Sequence, residues 1–385
     1  MNTLALSTTA ARLKWSLIGA FTFALAACGG GTVESPPTIV TLASSMSGDQ
    51  ELPPTVTGAL GTGTLSLESP SLKLTGSFSV NGMTATAGHI HIGSTGVNGP
   101  VIVPMTSSGD GIFTVPVNRT ITQAEATAFA EGGLYFNAHS ADNPTGEVRG
   151  QIGREVFAAQ MSSAQEIPTN ASAATGNGLL NFDPITKKIS GRVTLTGMSA
   201  TAAHIHTGLL GANGSVIFPM TETAAGSGIW VTAADATLTD AQITSLKAGG
   251  LYFNAHSAAF PGGEIRGQIG LNVRYASLDS TQEVPTNSST ATGTGTLVVN
   301  PLTRAVSGSI TLTGMTATAA HIHLGATGAN GSVIVGLTST SAGVFSVPAN
   351  TVFTADQFKL YKQGNLYYNA HSAAFPGGEI RGQIR

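Results

Sequence analysis

Charge is scarce in this sequence. Only 10% of its 385 residues are Asp, Glu, Lys or Arg, and the formal net charge is −3. No basic cluster follows the N-terminal segment, so the electrostatic footprint of a nucleic-acid binder is missing and that partner class is excluded. Cysteine is scarcer still: Cys28 is the only one, which rules out an intramolecular disulfide and leaves folding to packed cores. Long apolar runs are also lacking. The longest, Trp15 to Ala27, has 13 residues and is too short to span a membrane. There is no glycine-rich phosphate loop, no dinucleotide fingerprint and no pair of carboxylates beside the histidines. Low charge does not mean disorder here, because 41% of the residues are hydrophobic, enough to build cores.

The N-terminus reads as a secretion signal over residues 1–28. Arg12 and Lys14 supply the positive end, and the apolar run closes in Leu25-Ala26-Ala27-Cys28. That ending resembles a bacterial lipobox, in which small residues admit the peptidase and the cysteine thiol is acylated. Multiple acyl chains on Cys28 would anchor the protein to a membrane, where one chain holds only marginally. Gly29 in place of an aspartate points to the outer membrane, so the expected location is the bacterial cell envelope. Residues 29–38, with Gly29-Gly30-Gly31 and Pro36-Pro37, read as a flexible tether.

Histidine organises the rest. The chain has nine, as His89-Ile90-His91, His204-Ile205-His206 and His321-Ile322-His323, each answered downstream by one more: His139, His256 and His371. The spacing between first histidines is 115 and 117 residues, the period of a whole domain and not of a solenoid unit. Three similar domains follow, over 39–153, 154–270 and 271–385. Abundant glycine, with threonine, serine and valine in the apolar runs, favours short strands and tight turns. Asn98-Gly99, Asn213-Gly214 and Asn330-Gly331 read as hairpin turns. Thr122 with Glu125, Thr239 with Gln242 and Thr354 with Gln357 have capping-box spacing, predicting one short helix per repeat that ends at Gly132, Gly249 or Gly364. The fold class expected is all-β: three tandem β-sandwiches, immunoglobulin-like or superoxide-dismutase-like, each with one short helix.

Strand alternation sorts the side chains. His89 and His91 share one face, with Ile90 and Ile92 on the other. Tyr135, Asn137 and His139 share a face opposite Leu134, Phe136 and Ala138. If the apolar faces form the core, each repeat carries three histidines on its outer, hydrated side, with Asn137, Glu147 and Arg149, or Asn254, Glu264 and Arg266, or Asn369, Glu379 and Arg381 nearby. Three neutral imidazoles match the ligand number of an open copper or zinc site, one per repeat. The glutamates could orient a histidine, or pair with the arginines two residues on. Met83, Met198 and Met315 read as core packing rather than soft metal ligands. Ser140, Ser257 and Ser372 follow a histidine directly, so they point to the opposite face and cannot form a nucleophile and base pair with it.

The run Gly88-His89-Ile90-His91, then Asn98-Gly99-Pro100-Val101, Tyr135-Phe136-Asn137-Ala138-His139 and Pro144-Thr145-Gly146-Glu147-Val148-Arg149-Gly150-Gln151 resembles the CHRD domain, found in chordin and in many bacterial secreted proteins. The resemblance covers all three repeats and implies an all-β extracellular module with no assigned activity to carry over. A fainter likeness is to copper/zinc superoxide dismutases, which also place His-x-His on a strand and take a further histidine from far downstream. Those enzymes use six histidines and an aspartate for two metals, against three histidines per repeat here. Two functions stay open. One is a membrane-tethered, non-enzymatic module whose three domains gain avidity for an envelope or extracellular protein or polymer. The other is an envelope protein that binds copper or zinc, to buffer it or for redox chemistry.

Overall fold

Alternating small polar and apolar residues give the chain its strands. In Ile189–Thr196 the burial alternates strictly, residue by residue, as expected where one face meets a core and the other meets solvent. The computed structural model describes residues 36–385; the expected signal peptide, Cys28 and most of the tether lie outside the described residues. Among the described residues no helix is long and apolar enough to cross a membrane.

The first repeat runs β1 (Thr38–Ser47), β2 (Leu60–Ser69), β3 (Lys73–Asn81), β4 (Ala85–Ile92), β5 (Val101–Pro104), β6 (Thr106–Gly109), β7 (Ile112–Thr114), α1 (Gln123–Glu131), β8 (Leu134–Ser140) and β9 (Val148–Gln151). Its strands form one antiparallel sheet in the order β5-β4-β8-β9-β1-β2-β3-β7-β6. The two ends of that sheet, β5 and β6, are successive pieces of chain parted only at Met105, whose N–H donates to Gly88 O at 2.9 Å. The sheet is therefore rolled up on itself. In the second repeat the corresponding strand, Val216–Glu222, is unbroken, and eight strands form a closed barrel. The third repeat follows the nine-stranded order of the first.

This corrects the expected sandwich. The protein is all-β with three repeats, but each is a single sheet curled towards a barrel, not two sheets packed face to face. An eight-stranded barrel has an interior just wide enough for side chains to fill. Met46, Leu65, Phe78, Ile90, Phe113, Phe136 and Val148 fill the first, and matching apolar clusters fill the other two. The methionines Met83, Met198 and Met315 pack against these clusters, as do Met105 and Leu337, while Met220 belongs to the second cluster itself.

The helices form where the capping residues stand. Thr122 Oγ1 accepts the N–H of Glu125, whose carboxylate accepts the N–H of Thr122, and Gly132 ends α1 in the left-handed region at φ 73°. Reciprocal caps also start α2 (Asp240–Lys247) and α3 (Ala355–Lys362). The Asn-Gly pairs behave differently from expectation. Positive φ falls on Gly96, Gly211 and Gly328 instead, and Gly99 is required for space: a Cβ there would lie 1.6 Å from Ile92 O.

Repeats one and three meet at α3. Lys362 Nζ donates to Asp49 Oδ1 at 2.6 Å and to Thr55 O at 2.9 Å, while Asn272 Nδ2 donates to Asp49 Oδ2 at 3.2 Å. Both charged side chains are buried. A buried pair contributes little net, but removing one partner strands the other. Asp49→Ala is expected to lower stability by roughly 3 kcal/mol, measured as a fall in the urea midpoint of the protein; an unchanged midpoint would show that Lys362 escapes to water.

Candidate metal centre

In β4 the core claims Ile90, so His89 and His91 must face outward, and β8 pairs beside them with His91 opposite Tyr135 and His89 opposite Asn137. The same register carries His139 opposite Ala87, two residues along and on the same face, within reach of His89; the ladder shifts only beyond that pair, between Ala87 and Ala85. The rings converge: His89 Nδ1 lies 2.8 Å from His139 Nε2, with 3.2 Å and 3.1 Å for the pairs His204–His256 and His321–His371. One nitrogen from each of the three imidazoles lies within 4.8 Å of the other two, in every repeat. Ligands on a tetrahedral ion with bonds of ~2.0 Å sit about 3.3 Å apart. Each trio could thus hold a metal ion.

Protons can be placed by elimination. His91 Nδ1 is 2.9 Å from Gly99 O, and His139 Nδ1 is 3.1 Å from Pro144 O. A carbonyl only accepts, so both Nδ1 atoms carry hydrogen and both Nε2 atoms present lone pairs. The same bonds recur at His206 with Gly214, His256 with Pro261, His323 with Gly331 and His371 with Pro376. Carbonyls fixing the far nitrogen are typical of metal-binding histidines. His91 Nε2, His206 Nε2 and His323 Nε2 are buried and have no hydrogen-bond partner. A buried polar atom without a partner is costly, and here it points at two further imidazoles.

The glutamates proposed to orient a histidine do not do so. Glu147 accepts from Thr57 Oγ1 at 2.6 Å, Glu264 from Ser172 Oγ and Glu379 from Ser289 Oγ, both at 2.7 Å. Nor do they pair with the arginines, which are sealed in: Arg149, Arg266 and Arg381 are 1%, 0% and 1% exposed. The expectation of a hydrated polar face is corrected accordingly. Loops 48–57 and 93–99 cover it, and Arg149 donates to Ser94 O, Asn98 Oδ1 and Gln151 Oε1. Asn137 is buried with it and donates to Glu51 Oε1 at 3.0 Å. Gly146 presses on this pair; a Cβ there would come within 2.7 Å of the Asn137 amide.

Two sets of residues escaped the sequence reading. Glu51, Glu166 and Glu283 lie buried against Asn137, Asn254 and Asn369. Tyr135 stacks on His91 with ring centroids 4.8 Å apart, and the Arg149 guanidinium lies 3.6 Å from the same ring. The equal spacing of Gln-Glu before each histidine pair was the available signal for the first set.

Burial pushes His89, His91, His204, His206, His321 and His323 below the usual histidine value, helped by the neighbouring imidazoles; burial also lowers His139. Burial raises the Glu51 carboxyl to about 7, against the opposing pull of Arg149 and Asn137. A histidine whose folded pKa is depressed contributes stability above its unfolded value of about 6.5 that is lost as pH falls through the folded pKa. A carboxyl whose folded pKa is raised acts oppositely, gaining stability as pH falls from 7. Between pH 7 and 5, His91→Gln should therefore lose less stability than the parent protein and Glu51→Gln should lose more, read from urea midpoints across the pH series.

The sequence model of the CHRD domain matches residues 42–152, 157–269 and 274–384. No curated protein matches the chain. Three matches in tandem account for nearly all of the described residues, one on each histidine trio, and the chain belongs to the CHRD domain family.

Proposed function

We propose that this is a lipid-anchored, extracytoplasmic binding protein of the bacterial envelope that holds one copper or zinc ion in each CHRD domain and performs no catalysis. One observation carries the metal reading: in each repeat a buried imidazole nitrogen with no partner, its tautomer fixed by a carbonyl, faces two further imidazoles. The donor set suits the proposal. Three neutral nitrogens fit copper or zinc, and no carboxylate joins the trios among the described residues, which disfavours calcium and magnesium. The ligands would be His89, His91 and His139, then His204, His206 and His256, then His321, His323 and His371. The ion would supply an open position for water or a group from the partner.

The lipobox-like ending at Cys28 supports anchoring, and Gly29 supports an outer-membrane destination. Three tandem domains support avidity for an envelope or extracellular protein or polymer. The second reading, copper or zinc buffering, is favoured by the same trios, since three equal sites suit storage.

Metal analysis of the mature protein, purified without a histidine tag and dialysed after incubation with Zn(II) or Cu(II) at neutral pH, is expected to give about three ions per chain. Substituting His204, His206 and His256 by Gln should remove one equivalent with the other two retained. Metal content near zero in the folded parent protein would overturn the reading. Buffering and partner binding separate on envelope extracts: capture of a component that depends on bound metal supports the first reading, and release of metal to a chelator with no capture supports the second.

A further inference from the structure

We infer that Tyr135, Tyr252 and Tyr367 are positioning residues of the metal centre: each sets which nitrogen of His91, His206 or His323 carries the proton, and hence which one is offered to the ion. The inference rests on the metal reading above and deepens it.

The geometry is the same three times. Each tyrosine ring stacks on its histidine at 4.8, 4.8 and 4.9 Å with interplanar angles of 14°, 14° and 15°. Because β8 runs between β4 and β9, the ring is flanked by the imidazole from one neighbour and the guanidinium from the other. Arg149, Arg266 and Arg381 lie 3.6, 3.5 and 3.6 Å from the ring centroids. Stacking against a ring so backed fixes the plane of the imidazole.

The hydroxyl then fixes its hydrogen bond. Tyr135 Oη accepts the N–H of Gly99 at 3.1 Å, Tyr252 Oη that of Gly214 at 3.2 Å, and Tyr367 Oη that of Gly331 at 3.1 Å. In the first repeat the hydroxyl also reaches Gly99 O at 3.3 Å. Gly99 O is the atom that takes the His91 Nδ1 proton. The tyrosine thus holds in place the glycine whose carbonyl reads the histidine. Gly99 cannot gain a side chain, since a Cβ would meet Ile92 O at 1.6 Å; Gly214 and Gly331 are equally confined, against Thr207 O and Leu324 O. The residue beside the tyrosine changes between repeats, Phe136 and Phe253 against Tyr368, whose hydroxyl donates to Thr296 O at 2.9 Å. The clamp position is tyrosine each time.

The test is long-range 1H–15N correlation NMR of the metal-free mature protein, which reports the tautomer of each imidazole without any ion. The parent protein should show His91, His206 and His323 as single Nδ1–H tautomers. Tyr135→Phe/Tyr252→Phe/Tyr367→Phe keeps the stacked ring and removes the hydroxyl; it should stay folded and show mixed tautomers at these three histidines, with His139, His256 and His371 unchanged. Zn(II) affinity should fall roughly tenfold, the low end for loss of a group that orients a ligand. Should the triple variant misfold, Tyr252→Phe alone reports on His206 against the two intact repeats. Unchanged tautomers in the Phe variants, or Nε2–H histidines in the parent, would overturn the inference. Correct tautomers in a parent protein that takes up no Zn(II) would sink the metal reading and leave the clamp standing.

Discussion

A cation sealed inside each repeat is the constraint from which the rest follows. Arg149, Arg266 and Arg381 are among the most deeply buried side chains of the chain, and a guanidinium keeps its charge and needs its donors satisfied wherever it sits. The fold meets most of that demand with loop carbonyls: Ser94 O in the first repeat, Leu209 O and Ala212 O in the second, where Arg266 Nε is left without a partner, and Ala326 O in the third. Gathering those carbonyls folds the loop after the histidine strand down over the sheet. That same loop carries Gly99, Gly214 or Gly331, the acceptors of the histidine protons. The buried charge and the ordering of the imidazoles are two results of one loop placement.

A neutral pair of amides completes the cover. Gln151 Nε2 donates to Gly93 O, Gly132 O and Leu134 O, and its backbone N–H is met by Gln50 Oε1. The covered face is therefore a largely hydrogen-bonded polar layer with apolar barrel beneath and loops above. Asn137 Oδ1 and Arg266 Nε lack partners in it too, but the free histidine nitrogens recur in all three repeats. Polar layers of this kind specify one arrangement when complete, which suits a domain built without disulfides.

How much of this could be read from residues alone follows from the range of each interaction. Strand alternation acts between adjacent residues, so the faces of His89, His91 and His139 were legible, and so were the helix caps at Thr122, Thr239 and Thr354. The trio itself was legible only through repetition: the separation of His89 from His139 recurs with small change in the other repeats. Sheet closure was not legible, because a sandwich and a rolled sheet share the same period-two pattern and differ only in which edges meet, here β5 and β6 across Met105. The buried polar face was misjudged for a related reason. Alternation says which side a residue points to, and nothing about a loop from 40 or 90 residues away lying over it. Glu51 and Thr57 could not be assigned to Asn137 and Glu147 from spacing, since a contact that spans 86 or 90 residues leaves no local trace.

The pairing of Lys362 with Asp49 spans 313 residues, from the last helix to the first turn. A polypeptide made from its N-terminus presents Asp49 early and Lys362 only near the end of its synthesis. Until then the first barrel holds an unmatched carboxylate and an open Thr55 carbonyl. Completion of the opening domain thus waits on arrival of the closing one, and a chain cut short in synthesis would carry that defect as a mark of its incompleteness.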